Sequence, residues 1–414
     1  MTQPRHNAAN TLSTGPLSGL LVADFGRVLA GPYCTMLMAD LGATVIKVES
    51  PLGDETRSWV PPARDGESTY FLSINRNKQS VVLDFTDPQE LGLARELAAR
   101  ADVVTENFKP GGLARFGLDY ATVAATNPDV IYASITGFGT GAGANLPGYD
   151  LLVQSLSGLM SVTGAAESEG YRSGVAVFDV ITGLHTAVAI GAALFHRERT
   201  GEGQHVELNL MSSALSGMVN QTGGYLLSGS VPTRLGNDHP SIYPYAPFPT
   251  GEGELVLAIG NDAQFRTLCT ALGLPGVADD VRFATNGDRS INRDELRPIL
   301  VTQLASASAS VWFERLRALG LPCAPLLDIA GGIDFASQIG LDPVVTVGSG
   351  ERALPGIRNP MTFARTPASY RSAPPELDEH GSAIRQWLRD ADKTHLPTTT
   401  AVTQPVPTRS EQNT

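Results

Sequence analysis

Asp179 is the residue whose surroundings ask for a chemical explanation. It stands in Gly174-Val-Ala-Val-Phe178-Asp179-Val-Ile-Thr-Gly183 as the only charge in a long apolar neighbourhood. An ionised carboxylate is costly there unless something compensates it. The following run, Val180–Phe195, reads as a buried core helix. At the N-terminus of that helix, Asp179 would face free backbone N–H groups and the positive end of the dipole. Two roles fit the placement. One is an ordinary helix N-cap, worth about 1 kcal/mol. The other is a desolvated carboxylate that acts as a nucleophile in covalent catalysis.

Other patterns with chemical potential are weaker. Gly139-Thr-Gly141-Ala-Gly143-Ala144 has the spacing of a dinucleotide fingerprint, which would make the chain a dinucleotide-dependent oxidoreductase. A working fingerprint opens a helix whose N-terminus holds the pyrophosphate. Here Asn145-Leu-Pro147-Gly148 follows, which is loop chemistry, and no acid closes a strand at the required distance. There is no GxxxxGK[ST], HExxH or GxSxG, so phosphate-loop, zincin and serine-hydrolase readings lack their central residues. His185, His196 and His205 sit in or beside the long helix and the strand after it, and read as packed or surface residues. Cys34, Cys269 and Cys323 lie far apart with no CxxC, which supports neither a disulfide framework nor structural zinc. No metal is expected.

The elements around these residues alternate. Leu20–Phe25, Ala43–Val48, Ser80–Phe85, Asp102–Glu106 and Val130–Thr136 are short apolar runs that read as strands, and Gly203–Leu210 alternates like one. Helices are expected at Pro32–Leu41 and from Pro88 to Ala101. Strands joined by helical crossovers predict an α/β fold with a largely parallel sheet covered on both faces. From about Thr222 the texture changes to dense Gly, Pro and Tyr. Gly251–Gly253 reads as a hairpin turn, and helices follow at Ala263–Leu272 and Arg293–Leu304. The expected organisation is a tail over 1–15, a large domain over 16–224, a small domain over 225–325, a return to the large domain over 326–392, and a tail over 393–414. Both tails are expected to be disordered, being polar or rich in Thr and Pro.

Composition bounds the partners. The chain has 414 residues, 42% hydrophobic and 17% charged, enough for two or three domains with substantial cores. Thirty Lys and Arg against 42 Asp and Glu give a net charge of −12, which argues against nucleic acid or an anionic membrane as partner. Met1–Gly15 lacks the apolar segment of a signal peptide. The Val180–Phe195 run is shorter than the ~20 residues a bilayer requires. A cytoplasmic protein is expected.

Several separate stretches, in one order, resemble the class III CoA-transferases, the group that holds formyl-CoA:oxalate and carnitine CoA-transferases and α-methylacyl-CoA racemases. They are Leu17-Ser-Gly-Leu-Leu-Val-Ala-Asp24-Phe-Gly-Arg27-Val-Leu-Ala30-Gly31-Pro32, Asp40-Leu-Gly-Ala-Thr-Val-Ile-Lys47-Val-Glu49, Asn75-Arg-Asn-Lys78, Glu106-Asn-Phe-Lys-Pro-Gly111, Gly148-Tyr-Asp150, Gly201-Glu-Gly-Gln204 and Gly320-Leu-Pro-Cys-Ala-Pro325. The resemblance runs from about Leu17 to His380 and places the family's catalytic aspartate on Asp179. It implies a Rossmann-like large domain built from both chain ends, a small central domain, and an interlocked-ring homodimer.

The implied chemistry is exchange of CoA between carboxylic acids. Asp179 would attack an acyl-CoA thioester to give a mixed anhydride, and the CoA thiolate would then form an aspartyl-CoA thioester that passes CoA to an acceptor carboxylate. CoA enters as substrate, and neither ATP nor a tightly bound cofactor is implied. By resemblance the CoA contacts are Ala30, Leu83, Asp84, Phe85, Thr86, Asn107, Phe108, Lys109, Arg115, Leu146, Pro147, Gly148 and Tyr149. Lys109 and Arg115 are the cations expected to meet its phosphates, with Arg76 and Lys78 as helpers. Gly223-Gly224 or the Gly236-Asn237-Asp-His239-Pro240 loop would supply oxyanion donors or substrate contacts. Tyr149 and Asp150 are candidate accessory residues. The racemases carry His where this chain has Tyr149, and a phenol of ordinary pKa about 10 is a poor base near neutrality, which favours transferase over racemase. Leu29 and Ser50 replace the Gln and Arg of formyl-type enzymes. Both replacements argue against formyl-CoA or oxalate, and Leu29 with the Gly236–Pro240 loop resembles members that use succinyl-CoA or other dicarboxylate donors.

Overall fold

The computed structural model describes residues 15–390. The expected tails, 1–15 and 393–414, lie outside the described residues except for Gly15. Two compact units are present among the described residues: 15–153, 175–217 and 344–390 form one, and 154–174 and 218–343 the other. The edges expected at 225 and 325 therefore fall inside the second unit. That unit also takes in 154–174, fastened by the Gly236 N–H donating to the Gly164 carbonyl at 2.9 Å.

In the first unit, six strands form one parallel sheet: β1 (Leu21–Asp24), β2 (Thr44–Glu49), β3 (Lys78–Val82), β4 (Val103–Glu106), β5 (Ile131–Thr136) and β6 (Gln204–Asn209). Their spatial order is β3-β2-β1-β4-β5-β6. Ala23 lies beside Ile46 on one side and Val104 on the other. Side chains alternate between faces, and each face has its own core. Leu21, Ala23, Phe25 and Val104 pack with Leu93, Leu97, Val123 and Trp387. Val22, Val45 and Val103 pack with Cys34, Met38, Ile190 and Leu194. Helix α1 (Ala30–Asp40) and the long helix α4 (Val177–Thr200) cover the second face. Helices α2 (Pro88–Arg100) and α3 (Tyr120–Thr126), with the C-terminal helix Gly381–Arg389, cover the first. Local chemistry fixes these ends: Asp87 accepts the Gln89 N–H and Pro88 occupies the first helical position of α2, where its missing N–H costs nothing.

Helix α4 differs from expectation at both levels. It starts at Val177, with Ala176 before it and no side-chain cap from Ala176, so Asp179 is a first-turn residue and not the N-cap. Nor is it buried all round. Phe178, Thr182, Gly183, Thr186, Ile190, Ala193 and Leu194 are buried, whereas Val188 is 71% and Phe195 66% exposed. By length and composition it would pass as a membrane-crossing helix.

The second unit is built on an antiparallel sheet of β7 (Tyr245–Pro249), β8 (Glu254–Ala258) and β9 (Cys323–Pro325) in the order β9-β8-β7. The turn between β7 and β8 holds Gly253 at φ 76°, a left-handed conformation that suits glycine. Helices α5 (Asp262–Ala271), α6 (Arg293–Leu304) and α7 (Ala309–Arg317) pack Phe265, Leu268, Leu300 and Trp312 onto Phe248 and Leu257. The fully buried Arg289 is satisfied by the Tyr243 and Phe283 carbonyls and by Asp262. Gly223 and Gly224 sit inside the helix Val219–Ser228. Their amides are committed to helical hydrogen bonds, so they are not a turn and not free oxyanion donors.

Candidate active site

Because all six strands of the large sheet run parallel, their carboxyl ends share one edge. Chain order reverses there between β1 and β4, the position at which open α/β sheets bind ligands. The loop after β1 and the loop after β4 meet at this point. Asn107 accepts the Arg27 N–H at 2.8 Å and donates to the Arg27 carbonyl at 2.7 Å. The Arg27 guanidinium lies 5.0 Å over the Phe108 ring. Phe108 N–H is turned back by the Glu106 carboxylate at 2.8 Å.

Helix α4 feeds into β6, so its first turn lies at the same edge. Asp150, 8% exposed, caps it across a long sequence separation. One carboxylate oxygen accepts the Phe178 N–H at 2.8 Å and the Asp179 N–H at 3.2 Å. This satisfies two orphan donors that Ala176 leaves open. Asp179 is only partly buried by surface, yet its carboxyl is pushed up to about 7, first by desolvation and second by the neighbouring Asp150 carboxylate. Among the described residues no donor reaches its carboxylate. Gly183, one turn on, faces the Ala30 carbonyl so closely that a Cβ would lie 2.7 Å from that oxygen. The start of α1 thus packs against α4 one turn beyond Asp179.

Most residues expected to contact CoA gather along this edge. Ala30 opens α1. Leu83 is buried after β3, and the Asp84 carboxylate accepts the Thr86 N–H and hydroxyl. Phe85 packs between Phe25 and Phe116. Asn107, Phe108, Lys109 and Arg115 follow β4. Lys109 and Arg115 are exposed, and among the described residues neither has an ion-pair partner. Leu146, Pro147, Gly148 and Tyr149 form a loop after β5, with Gly148 pressed on Gly137 and Tyr149 59% exposed. The Gly139–Ala144 run lies in this same turn-rich stretch and opens no helix. Gly236, Asn237 and His239 belong to the second unit, where the His239 ring packs on Tyr245.

Two expected helpers do not face outward. Arg76 is 5% exposed and forks onto Asp40 at 2.7 and 2.9 Å. Lys78 is 1% exposed and donates to Asp24, Asn75 and the Pro32 carbonyl. Both are interior ion pairs, not phosphate ligands. Tyr70 was missed by sequence reasoning. Its phenol is pushed up to about 12 by burial and by the carboxylates of Asp179, Asp150 and Asp54, so it stays a neutral donor beside the acidic pair. Nothing in its sequence context signals this. Lys47, by contrast, did carry a signal, a lysine inside the apolar strand Ala43–Val48.

Residues 17–381 match the family described as CoA-transferase family III. The chain is 42% identical over 400 residues to succinate–glutarate CoA-transferase of Agrobacterium fabrum, covering 92% of this chain and 98% of that protein. It is 42% identical to succinyl-CoA:glutarate CoA-transferase of Homo sapiens, covering 91% and 87%. Among solved structures, a CAIB/BAIF family protein from Brucella suis superposes with a TM-score of 0.83 at 41% identity, covering 90% of this chain and 99% of that one. An acidic first-turn residue at a parallel-sheet edge, in a chain matched along nearly its whole folded length, makes this protein a member of CoA-transferase family III.

Proposed function

We propose that this enzyme moves CoA from succinyl-CoA, or a similar acyl donor, to a second carboxylic acid, with Asp179 as the covalent nucleophile. The observation that carries the reading is the Asp179 carboxylate itself. It is desolvated, raised in basicity beside Asp150, and held by no hydrogen-bond donor among the described residues. A carboxylate of that kind is a stronger nucleophile than a solvated one.

The cycle balances without an outside reactant. An Asp179 oxygen attacks the thioester carbonyl, the C–S bond breaks, and CoA leaves as thiolate from a mixed anhydride. The thiolate attacks the aspartyl carbonyl, the donor acid leaves as carboxylate, and an aspartyl-CoA thioester remains. The acceptor carboxylate attacks this thioester, forming a new anhydride and thiolate. Attack of the thiolate on the acceptor carbonyl yields the new CoA ester and restores Asp179. The neutral Tyr70 phenol supplies a donor near the developing oxyanions. Lys109 and Arg115 supply charge for the CoA phosphates.

The relatives named for succinyl and glutaryl chemistry support the dicarboxylate donor. The exposed apolar stripe of α4, Leu184, Val188 and Phe195, supports a homodimer, since large exposed apolar patches mark association surfaces. The test is a panel of acyl-CoA donors against carboxylate acceptors read by chromatography, with mass spectrometry of Asp179 during turnover. CoA linked to Asp179 and succinyl-CoA among the active donors are expected. Inert succinyl-CoA with active formyl-CoA would sink the donor assignment. Solvent deuterium at the α-carbon of a 2-methylacyl-CoA, without an adduct, would make the enzyme a racemase.

A further inference from the structure

Val28 has a backbone φ of 65°. A β-branched residue in the left-handed region is a steric outlier, held there only when its surroundings over-determine it. The other four non-glycine residues with positive φ among the described residues are Asp or Asn, which tolerate it.

The surroundings of Val28 are polar and closed. Lys47 Nζ donates to the Gly26 carbonyl at 2.9 Å and to Asp54 Oδ2 at 2.8 Å. Asp54 accepts the Val28 N–H at 3.3 Å and the Thr56 N–H and hydroxyl at 3.0 and 2.7 Å. Asp24 accepts the Gly26 N–H at 2.9 Å. Lys78 donates to Asp24 and to the Pro32 carbonyl. Both ion pairs have side chains with no exposure. Burial opposes the charge on Lys47, but Asp54, Asp24 and Glu49 outweigh it and hold the ammonium above its usual range. Buried ion pairs add little stability over apolar packing, so a pair that grips the peptides flanking a strained valine has a better reason to be there.

We propose that the buried Lys47–Asp54 pair is a positioning device, which holds Val28 left-handed and so sets Leu29 and Ala30 against α4 at Gly183, one turn beyond Asp179. Neither residue touches substrate. The strain at Val28 fixes the entry angle of α1, and the Ala30 carbonyl against Gly183 transmits it to the nucleophile. The activity part of this inference rests on the transferase reading above.

A double-mutant cycle tests it. Lys47→Met is expected to lower kcat for CoA transfer about thirtyfold, with KM for the acyl-CoA within about threefold, the size of loss that misplacement of reacting groups produces. Amide exchange at residues 26–31 should rise about tenfold while the rest of the chain is unchanged. Glycine enters the left-handed region without strain, so adding Val28→Gly should recover about tenfold of the lost kcat, the population factor a left-handed non-glycine residue forfeits. Asp54→Asn serves in the same cycle if Lys47→Met does not fold. Additive effects, or a kcat untouched by either substitution, would overturn the positioning role while leaving the transferase reading in place. A wild-type enzyme inert toward every donor would remove the transferase reading, and loop exchange would still decide the bracing: faster exchange confined to 26–31 supports it, and unchanged exchange refutes it.

Discussion

Replacing Asp179 by Asn should abolish CoA transfer and, at alkaline pH, make the protein more stable. The carboxyl is pushed from 3.8 to about 7 by desolvation and by Asp150. Each tenfold rise in a group's proton affinity corresponds to about 1.36 kcal/mol between its protonation states, so the ceiling is about 4 kcal/mol. Because the side chain is partly open to solvent, screening reduces this, and about 2 kcal/mol is the working figure. The sign follows from proton counts. Between about pH 4 and pH 7 the folded protein holds a proton on Asp179 that the unfolded chain has lost, so this group makes stability fall as pH rises through that window. Above pH 7 both states are ionised and the folded one carries the full penalty. Below about pH 4 both are protonated and it vanishes.

Asp179→Asn removes the ionisation with almost no change of shape. The expected gain is about 2 kcal/mol at pH 8 and close to zero at pH 4.5, read as the difference in thermal unfolding between variant and wild type at the two pH values. A variant less stable than wild type at pH 8, or a gain of equal size at both pH values, refutes the claim that the Asp179 carboxylate is held under electrostatic strain.

Two further outcomes follow from the same geometry. Asp150→Asn keeps an oxygen that can accept the Phe178 and Asp179 amides but removes the neighbouring charge. The proposed mechanism requires ionised Asp179, so the midpoint of its pH–rate profile, expected near 7 in the wild type from the raised carboxyl, should move toward acid by about one on the pH scale. An unmoved midpoint would show that Asp150 does not act on Asp179 through its charge. Gly183→Ala places a methyl 2.7 Å from the Ala30 carbonyl oxygen, a backbone atom that cannot swing aside. A loss of about 1–3 kcal/mol is expected in unfolding experiments, together with a lower kcat, whereas Gly191→Ala inside the same helix meets nothing within 4 Å and should instead gain about 0.5–1 kcal/mol by removing a mid-helix glycine.

Strands and helices of the large unit were legible because their apolar runs are both local and redundant. Val103–Glu106, Ile131–Thr136 and Thr44–Glu49 lie within two residues of their expected positions, and the hairpin turn at Gly251–Gly253 separates β7 from β8 as its composition implied. What failed depended on distant partners. The start of α4 is set by Asp150 reaching from another segment, so the local pattern favoured an N-cap at Asp179. Arg76 and Lys78 looked like free cations because Asp40 and Asp24, the carboxylates that neutralise them, lie far away in sequence. The second unit begins earlier than expected because residues 154–174 join it through pairing with residues near 236, a contact no composition shift records.

Sequence patterns report what each segment prefers alone, and the site is made of residues that act against those preferences. Val28 is left-handed where valine is least suited to be. Lys47 is charged inside a buried strand. Asp179 is acidic beside a second acid. A sequence that specifies one fold keeps such conflicts few and places them where activity requires them. All three lie within the large unit, at or next to the carboxyl edge of its sheet, and none is explained by the packing of the core beneath. Their convergence is an argument independent of any relative: Val28 and Asp179 give up folding stability near one edge of this sheet, Lys47 is kept charged beside them by Asp54, Asp24 and Glu49, and the proposed nucleophilic role of Asp179 would give that loss a use.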